Sequence, residues 1–131
     1  MITLSKEQIV LLHKKLLDAT GGLDGLRDES LLDSALSAAF QSYDGADFFP
    51  TVPEKIARIA YGIIRNHPFV DGNKRLGTYV MLVLLELNYL NAIFSDNDIV
   101  RIGLEVAENK MDVMKLRDFI LNHIQPNPES K

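Results

Sequence analysis

Apolar residues recur at intervals of three and four positions along most of the chain, which is the spacing of amphipathic helices. A residue able to cap a helix precedes most of the apolar runs, as Ser5 with Gln8 precedes the first. The pattern therefore predicts six helices, which extend from Ser5 to about Ala19, from Asp28 to Ala39, from Pro53 to Asn66, from Asn73 to Asn88, from Ser95 through Ala107, and from Asp112 through Ile124.

The fourth of these helices is apolar on nearly every face, and such a helix must be surrounded by others. The sequence contains no strand-like alternation of useful length, no internal repeat and no sustained heptads. A length of 131 residues suits one domain whose core needs no disulfide or structural metal. We therefore predict an all-α, compact single domain over residues 1–131, a helical bundle around a buried central helix, with a short polar tail from about Pro126.

The segment from Gln41 to Val52 loses the helical period and is the longest irregular stretch of the chain. Two interpretations of its aromatic residues Tyr43, Phe48 and Phe49 are open. In the first, these side chains tuck a loop onto the core. In the second, the segment is a flap that lies over a site and guides a substrate segment, as long loops in compact domains often do.

Three other features have a structural interpretation. His13, on the first helix, has no second ligand at metal spacing, which favours a solvated or hydrogen-bonded surface histidine. His123 stands at the C-terminus of the last helix, where the helix dipole favours a cation, and a structural role is predicted for it. The stretch from Gly21 to Gly25 is too short to be a nucleotide-binding glycine loop and is predicted to be a connection.

Composition narrows the classes of function. The absence of cysteine excludes thiol chemistry and cysteine-ligated metals, and a net charge of −4 argues against a large basic surface for nucleic acid. The most apolar stretch, from Leu76 to Leu90, contains Glu86 and is too short to cross a bilayer comfortably. The N-terminus also lacks the pattern of a secretory signal. We therefore expect a cytoplasmic protein with no direct contact to nucleic acid or membrane.

Candidate chemistry is concentrated in the nine residues from His67 to Arg75, between the third and fourth helices. A loop that enters the fourth helix through Gly72 can bring unpaired backbone N–H groups close to an anion. Lys74 and Arg75 add positive charge in the same first turn, where cations are unfavourable unless an anion or an acid is nearby. The anion predicted from this arrangement is phosphate.

The remaining residues of the loop suggest what happens to that phosphate. A histidine such as His67 can accept a proton from a hydroxyl at neutral pH, and Asp71 can hold one Mg²⁺ together with nucleotide phosphates. Asn73 adds backbone and amide donors, whereas Phe69 is most simply an anchor in the core. Together these groups indicate transfer of a phosphorus-containing group to a hydroxyl. The alternative is ordinary turn chemistry with a solvated Lys-Arg pair.

The nine residues His-Pro-Phe-Val-Asp-Gly-Asn-Lys-Arg resemble the signature of the Fic/Doc superfamily, and the Lys-Arg pair resembles its Doc, or death-on-curing, branch. The resemblance extends to residues 25–35 and to the segment 47–51, which looks like the flap of the family. It implies a Fic/Doc-like helical fold in which His67 is the general base and Asp71 helps to hold Mg²⁺. The resemblance also implies that Gly72, Asn73, Lys74 and Arg75 bind the nucleotide phosphates.

The resemblance also implies a function. Doc-type toxins transfer the γ-phosphoryl group of ATP or another nucleoside triphosphate to a protein hydroxyl, a threonine of elongation factor Tu, which blocks translation. Fic-type transfer of AMP is an alternative, although AMP-transferring members have glycine at the position of Lys74 and arginine at that of Thr78. A second alternative is a non-catalytic binding module whose loop docks an acidic partner. The sequence shows no inhibitory helix motif, which implies a separate Phd-like antitoxin whose C-terminal segment covers the active site.

Overall fold

A computed structural model describes residues 1–126, in which six α-helices and one short β-hairpin form the regular structure. The all-α class and the six predicted helices are confirmed, and each helix ends within one residue of the predicted position. The tail predicted from about residue 126 lies, beyond that residue, outside the described part of the chain. No helix within residues 1–126 has the length and apolar character needed to span a membrane. The elements in chain order are α1 (Lys6–Thr20), α2 (Glu29–Ala38), β1 (Ser42–Tyr43), β2 (Ala46–Asp47), α3 (Val52–Asn66), α4 (Asn73–Leu87), α5 (Asp96–Ala107) and α6 (Val113–His123).

Local capping explains where most of these helices begin. The side chains of Ser5, Asp28, Thr51, Ser95 and Asp112 each accept a hydrogen bond from a backbone N–H in the first turn of the helix that follows. α4 is the exception, because a glycine precedes it and no side chain caps its N-terminus. The first N–H groups of α4 are therefore left for another acceptor.

α3 and α4 lie at the centre of the bundle. α3 packs against α2, α4, α5 and α6, and α4 packs against α3, α5 and α1. The two central helices approach closely at Gly77, where a Cβ atom would lie only 2.4 Å from Ile64 Cγ1. α4 is less enclosed than its composition predicts, since Leu82 and Glu86 on its outer face are exposed. Apolar side chains are often exposed on protein surfaces, so the apolar composition of α4 predicted more burial than the structure shows.

The segment between α2 and α3 forms a hairpin that the hydrophobic pattern did not predict. β1 and β2 pair antiparallel, and Asp44 and Gly45 at the turn both have positive φ, of 51° and 79°. Two-residue hairpin turns favour this geometry, and strands of two residues are too short to give a periodic signal. Tyr43 and Phe48 are exposed, so the interpretation that they tuck the loop onto the core is wrong. Phe49 is half-buried.

The hairpin is held at the beginning of α3. The buried Lys55 ammonium donates to Asp47 Oδ2 at 3.2 Å and to the carbonyl of Phe49. His67 follows the other end of this helix, roughly 20 Å away at about 1.5 Å per residue. A position of the hairpin over the site, as a flap, stays a prediction.

Candidate active site

The loop that joins α3 to α4 begins and ends on a residue in the left-handed region. His67 is the C-cap of α3 with φ 50° and ψ 56°, and its side chain is exposed. Gly72 is the N-cap of α4 with φ 80°, a value that glycine adopts without a steric penalty. Pro68 after His67 prevents α3 from continuing, so the chain turns outward for five residues before α4 starts.

Asn73 shapes this loop from inside. Its side chain is buried, Oδ1 accepts from the N–H of Phe69 at 3.0 Å, and Nδ2 donates to the carbonyl of Phe69 at 3.0 Å. The predicted use of the Asn73 amide as a phosphate donor is therefore not what the geometry offers, because the amide is committed to the loop backbone. Its main-chain N–H, at the start of α4, stays open to a ligand.

Phe69 is buried, as expected of an anchor, and its partner is His13 from α1. The two rings stack with centroids 3.9 Å apart and an interplanar angle of 19°. The prediction that His13 lies on the surface is wrong, since only 1% of it is exposed, although it is hydrogen-bonded through Nε2 to the carbonyl of Asp71 at 2.8 Å. Sequence reasoning missed this because a lone histidine on an amphipathic helix gives no signal of what it faces.

The carboxylate of Asp71 is held by two backbone donors. The N–H of Gly72 donates to Oδ1 at 2.8 Å, and the N–H of Leu23 donates to Oδ2 at 3.2 Å. These bonds, with that from Leu23 the larger influence, lower the pKa of the Asp71 carboxyl below its ordinary range, and the nearby Arg75 charge acts in the same direction. Asp71 is therefore an ionised, partly exposed carboxylate at neutral pH.

The predicted connection between α1 and α2 is a structural part of the site. Its Gly25 carbonyl accepts from the N–H of Val70 at 2.9 Å, and Leu26 pairs antiparallel with Phe69. The Arg27 guanidinium donates through Nε to the carbonyl of His67 at 2.8 Å, which fixes the left-handed residue at the end of α3. The predicted connection from Gly21 to Gly25 does join α1 to α2, and its Gly25 also holds the loop of the site. Its glycines were the available signal, because close backbone approach requires them.

Arg75 joins the start of α4 to the end of α1. Its guanidinium donates to the hydroxyl of Thr20 and, at 3.1 Å, to the carbonyl of Gly21, and it lies 3.9 Å from Asp71 Oδ1. A helix C-terminus favours a cation, so α1 offsets part of the cost of placing Arg75 at the start of α4. The exposed Lys74 and the uncapped start of α4 are therefore freer to contact a phosphate than Arg75 is.

The predicted site residues meet in one open cavity of about 360 Å³, lined by His67, Val70, Asp71, Gly72, Asn73, Lys74 and Arg75. The cavity combines a histidine, an ionised carboxylate and two cations with the N-terminus of a 15-residue helix. Helix N-termini bind anions through their free N–H groups and dipole. No residue of the β-hairpin contributes to this cavity within the described chain.

The carboxylate in this cavity suits a magnesium ion that takes most of its ligands from substrate phosphates and water. No group of three or more His, Asp or Glu side chains is arranged to hold a metal anywhere in residues 1–126. Mg²⁺, however, is commonly held by one or two carboxylates, with substrate phosphates and water completing its octahedral shell. Asp71, ionised and partly exposed in the cavity beside the start of α4, has the donor chemistry that this role requires.

The pKa of Asp71 gives a first testable prediction. Because folding lowers this pKa, its hydrogen bonds stabilise the protein above the unfolded value, about 3.9 for aspartate, and that stabilisation is lost as the pH falls through the lower folded value. We expect the Asp71 carboxyl to stay ionised at pH 4 in a ¹³C NMR titration. The stability difference between wild type and Asp71→Asn should shrink below that pH, and a carboxyl that titrates above pH 4 would contradict the prediction.

Comparison with known proteins identifies the family of this chain. Residues 3–85 match the family model described as Fic/DOC family. The chain belongs to the Fic/DOC family. It is 33% identical over 106 residues to a protein named Toxin Doc from Mycolicibacterium smegmatis, an alignment that covers 81% of this chain and 77% of that protein. This similarity confirms the resemblance to the Doc branch.

Proposed function

We propose that this protein is a Doc-type toxin that transfers the γ-phosphoryl group of a nucleoside triphosphate to a hydroxyl of a target protein. The observation that carries the proposal is the shared cavity in which His67, Asp71 and Lys74 meet the uncapped start of α4. The similarity to a protein named Toxin Doc supports the same conclusion. The expected target, by family resemblance, is elongation factor Tu, whose modification would block translation.

In the proposed reaction His67 is the general base. It takes the proton of the acceptor hydroxyl as the hydroxyl oxygen bonds to the γ-phosphorus, while the bond from that phosphorus to the β–γ bridging oxygen breaks and the nucleoside diphosphate leaves. His67 is exposed and at the rim of the cavity, and Nε2 has no hydrogen-bond partner within residues 1–126, so a protein hydroxyl can approach it. Nδ1 lies 3.5 Å from Asn73 Nδ2, at the outer limit of a hydrogen bond.

The other groups hold and neutralise the nucleotide. The free N–H groups of the first turn of α4, with Lys74 and Arg75, would bind phosphate oxygens. Mg²⁺, when bound with the nucleotide, would neutralise the phosphate charge that grows in the transition state. Asp71 is the residue that would hold it, since its carboxylate is ionised and lies in the same cavity.

One feature favours phosphoryl transfer over AMP transfer. The AMP-transferring members that the sequence resembles carry arginine at the position of Thr78, but here the Thr78 hydroxyl is buried and donates to the carbonyls of Lys74 and Arg75 at 3.2 and 3.0 Å. That position therefore supplies no cation to the cavity. A labelling experiment distinguishes phosphoryl transfer from AMP transfer and from a non-catalytic docking role.

The test uses ATP labelled at either the α- or the γ-phosphate, with Mg²⁺ and a cell extract as the source of acceptor. We expect label to appear on protein from γ-labelled ATP only, and to be lost with His67→Ala. Label from α-labelled ATP would favour AMP transfer instead. A protein that binds a partner tightly, labels nothing with either nucleotide and tolerates Asp71→Ala would be the binding module.

A pair of neighbouring glycine variants tests the position of Asp71 in this reaction. A Cβ on Gly22 would lie 2.8 Å from Asp71 Oδ2, 2.9 Å from Leu17 Cδ2 and 3.2 Å from Arg75 Nη2, whereas a Cβ on Gly21 would meet nothing within 4 Å. Both glycines have positive φ, so both alanine variants carry backbone strain. We expect Gly22→Ala to lower label transfer about 10- to 100-fold, because small displacements of reacting groups have effects of this size.

Gly21→Ala is the matched control for that prediction. It should lose stability in thermal unfolding, as Gly22→Ala does, while keeping most of the transfer activity. Equal activity losses in the two variants would mean that backbone strain, rather than displacement of the carboxylate, is responsible.

The proposal includes a partner and a location. A Phd-like antitoxin is expected to inhibit this protein in the cytoplasm, since a Doc-type toxin acts inside the cell that makes it. Expression of the protein alone should arrest growth, and co-expression of a small protein encoded beside it should relieve the arrest. Arrest that persists with His67→Ala would separate growth inhibition from the proposed chemistry.

A further inference from the structure

We infer that His13 is a positioning residue for the active site, which acts from α1 by fixing the peptide between Asp71 and Gly72. The inference rests on the proposed function, because it assigns a purpose to the direction of the Asp71 carboxylate. His13 itself lies beneath the loop, stacked on Phe69, and is fully covered. It therefore touches no substrate and acts only through the loop that carries Asp71.

The hydrogen bond from His13 has a defined direction. Nε2 lies 2.8 Å from the carbonyl oxygen of Asp71, and because a carbonyl only accepts, Nε2 must carry the proton. The other ring nitrogen, Nδ1, faces Asp24 Oδ1 at 3.7 Å. With 1% of the residue exposed, little water can replace His13 as the donor to that carbonyl.

Planarity of the peptide transmits this bond to the carboxylate. The carbonyl of Asp71 and the N–H of Gly72 belong to one rigid peptide unit and point in opposite directions. Holding the carbonyl toward His13 therefore aims the Gly72 N–H at Asp71 Oδ1, to which it donates at 2.8 Å. That N–H is one of the two donors that orient the carboxylate, the other being the N–H of Leu23 at 3.2 Å.

The stacking contact gives His13 a second hold on the same loop. Its ring lies 3.9 Å from that of Phe69, whose backbone N–H and carbonyl are both bonded to the Asn73 side chain. The loop is thus held by His13 of α1 on one side and by Asn73 of α4 on the other. Val70, between Phe69 and Asp71, is exposed and contacts neither His13 nor Asn73 through a hydrogen bond or a ring stack.

Two substitutions separate the hydrogen bond from the packing. His13→Phe keeps an aromatic ring to stack on Phe69 but removes the donor to the Asp71 carbonyl. His13→Gln removes the ring but can place an amide N–H near the position of Nε2. The matched control is Ile9→Ala, which truncates a buried side chain one turn earlier on α1 and lowers stability without touching the hydrogen bond.

The experiment measures hydrogen exchange of the Gly72 and Leu23 amides by NMR in nucleotide-free protein, and label transfer from γ-labelled ATP. For His13→Phe we expect exchange of the Gly72 amide to rise about tenfold and transfer to fall about tenfold, the usual effect of losing one buried hydrogen bond. His13→Gln should recover most of both. Ile9→Ala should lower the melting temperature while leaving exchange at Gly72 and transfer near the wild-type values.

Two results would overturn the inference: unchanged Gly72 exchange in His13→Phe, or an Ile9→Ala variant that reproduces the changes of His13→Phe. Exchange is measured without nucleotide, so it decides the role of His13 even if the wild type transfers no label. Absence of transfer by the wild type would instead count against the proposed function.

Discussion

Replacing His67 with alanine is expected to lower transfer of γ-label to protein by about 10²- to 10⁴-fold, which is the usual contribution of a general base. The side chain is exposed at the rim of the cavity, so its removal leaves the core intact. The ring is also the only histidine that lines the cavity within the described residues. Initial rates with saturating nucleotide, compared with those of wild type, measure the effect directly.

Two further variants guard the interpretation of that result. His67 has φ 50°, a conformation that asparagine adopts more readily than alanine, so His67→Asn tests whether backbone strain contributes. It should be as inactive as His67→Ala. His123→Ala, which removes a histidine packed against Phe94 and Phe119 and not among the residues that line the cavity, should stay active below its melting temperature. Equal transfer by wild type and His67→Ala would remove His67 from the mechanism.

A substitution at the contact between α3 and α4 is expected to have the second large effect, which is a loss of stability. Gly77→Ala would place a Cβ 2.4 Å from Ile64 Cγ1 and 3.1 Å from the carbonyl oxygen of Ala60, so α3 and α4 must move apart. Overpacking of this kind costs about 1–3 kcal/mol, even though alanine is a better helix former than glycine by about 1 kcal/mol. We expect a net loss of up to about 2 kcal/mol in the free energy of unfolding, measured by urea denaturation.

Gly103 in α5 provides the matched control for Gly77. Both glycines are buried inside helices, but a Cβ on Gly103 would lie 3.5 Å from its nearest neighbour, Lys74 Cβ, which is an ordinary contact. Gly103→Ala should therefore gain up to about 1 kcal/mol from helix propensity. Destabilisation of both variants by the same amount would show that the close approach at Gly77 is not the cause.

The helices of this protein could be predicted because their signals are local. Caps such as Ser5, Asp28 and Asp112 act within a single turn, and apolar spacing marks the buried face of each helix. The hairpin could not be predicted in this way, since two-residue strands leave no period. The exposure of Leu82 in α4 was also hidden, because it depends on which helices pack beside it.

The same distinction applies to the candidate site. His67, Asp71 and Lys74 could be grouped because they are contiguous in one loop. The residues that hold this loop could not be predicted, because they are about 40 to 60 residues away in the sequence. Arg27 donates to the carbonyl of His67, and His13 donates to the carbonyl of Asp71. Long-range contacts of this kind leave no pattern in a single sequence, apart from glycines that permit close approach.

The dependence of Asp71 on the N–H of Leu23 has a consequence for biosynthesis. A nascent chain emerging from the ribosome contains the complete signature once residue 75 is out, yet the carboxylate gains its second backbone donor, the N–H of Leu23, only after the start of α4 packs beside the end of α1. A proteolytic fragment from residue 52 onward would carry every residue of the signature and lack that donor. The signature residues alone therefore do not fix the direction of the carboxylate, which also requires the segment that follows α1 to be folded against the start of α4.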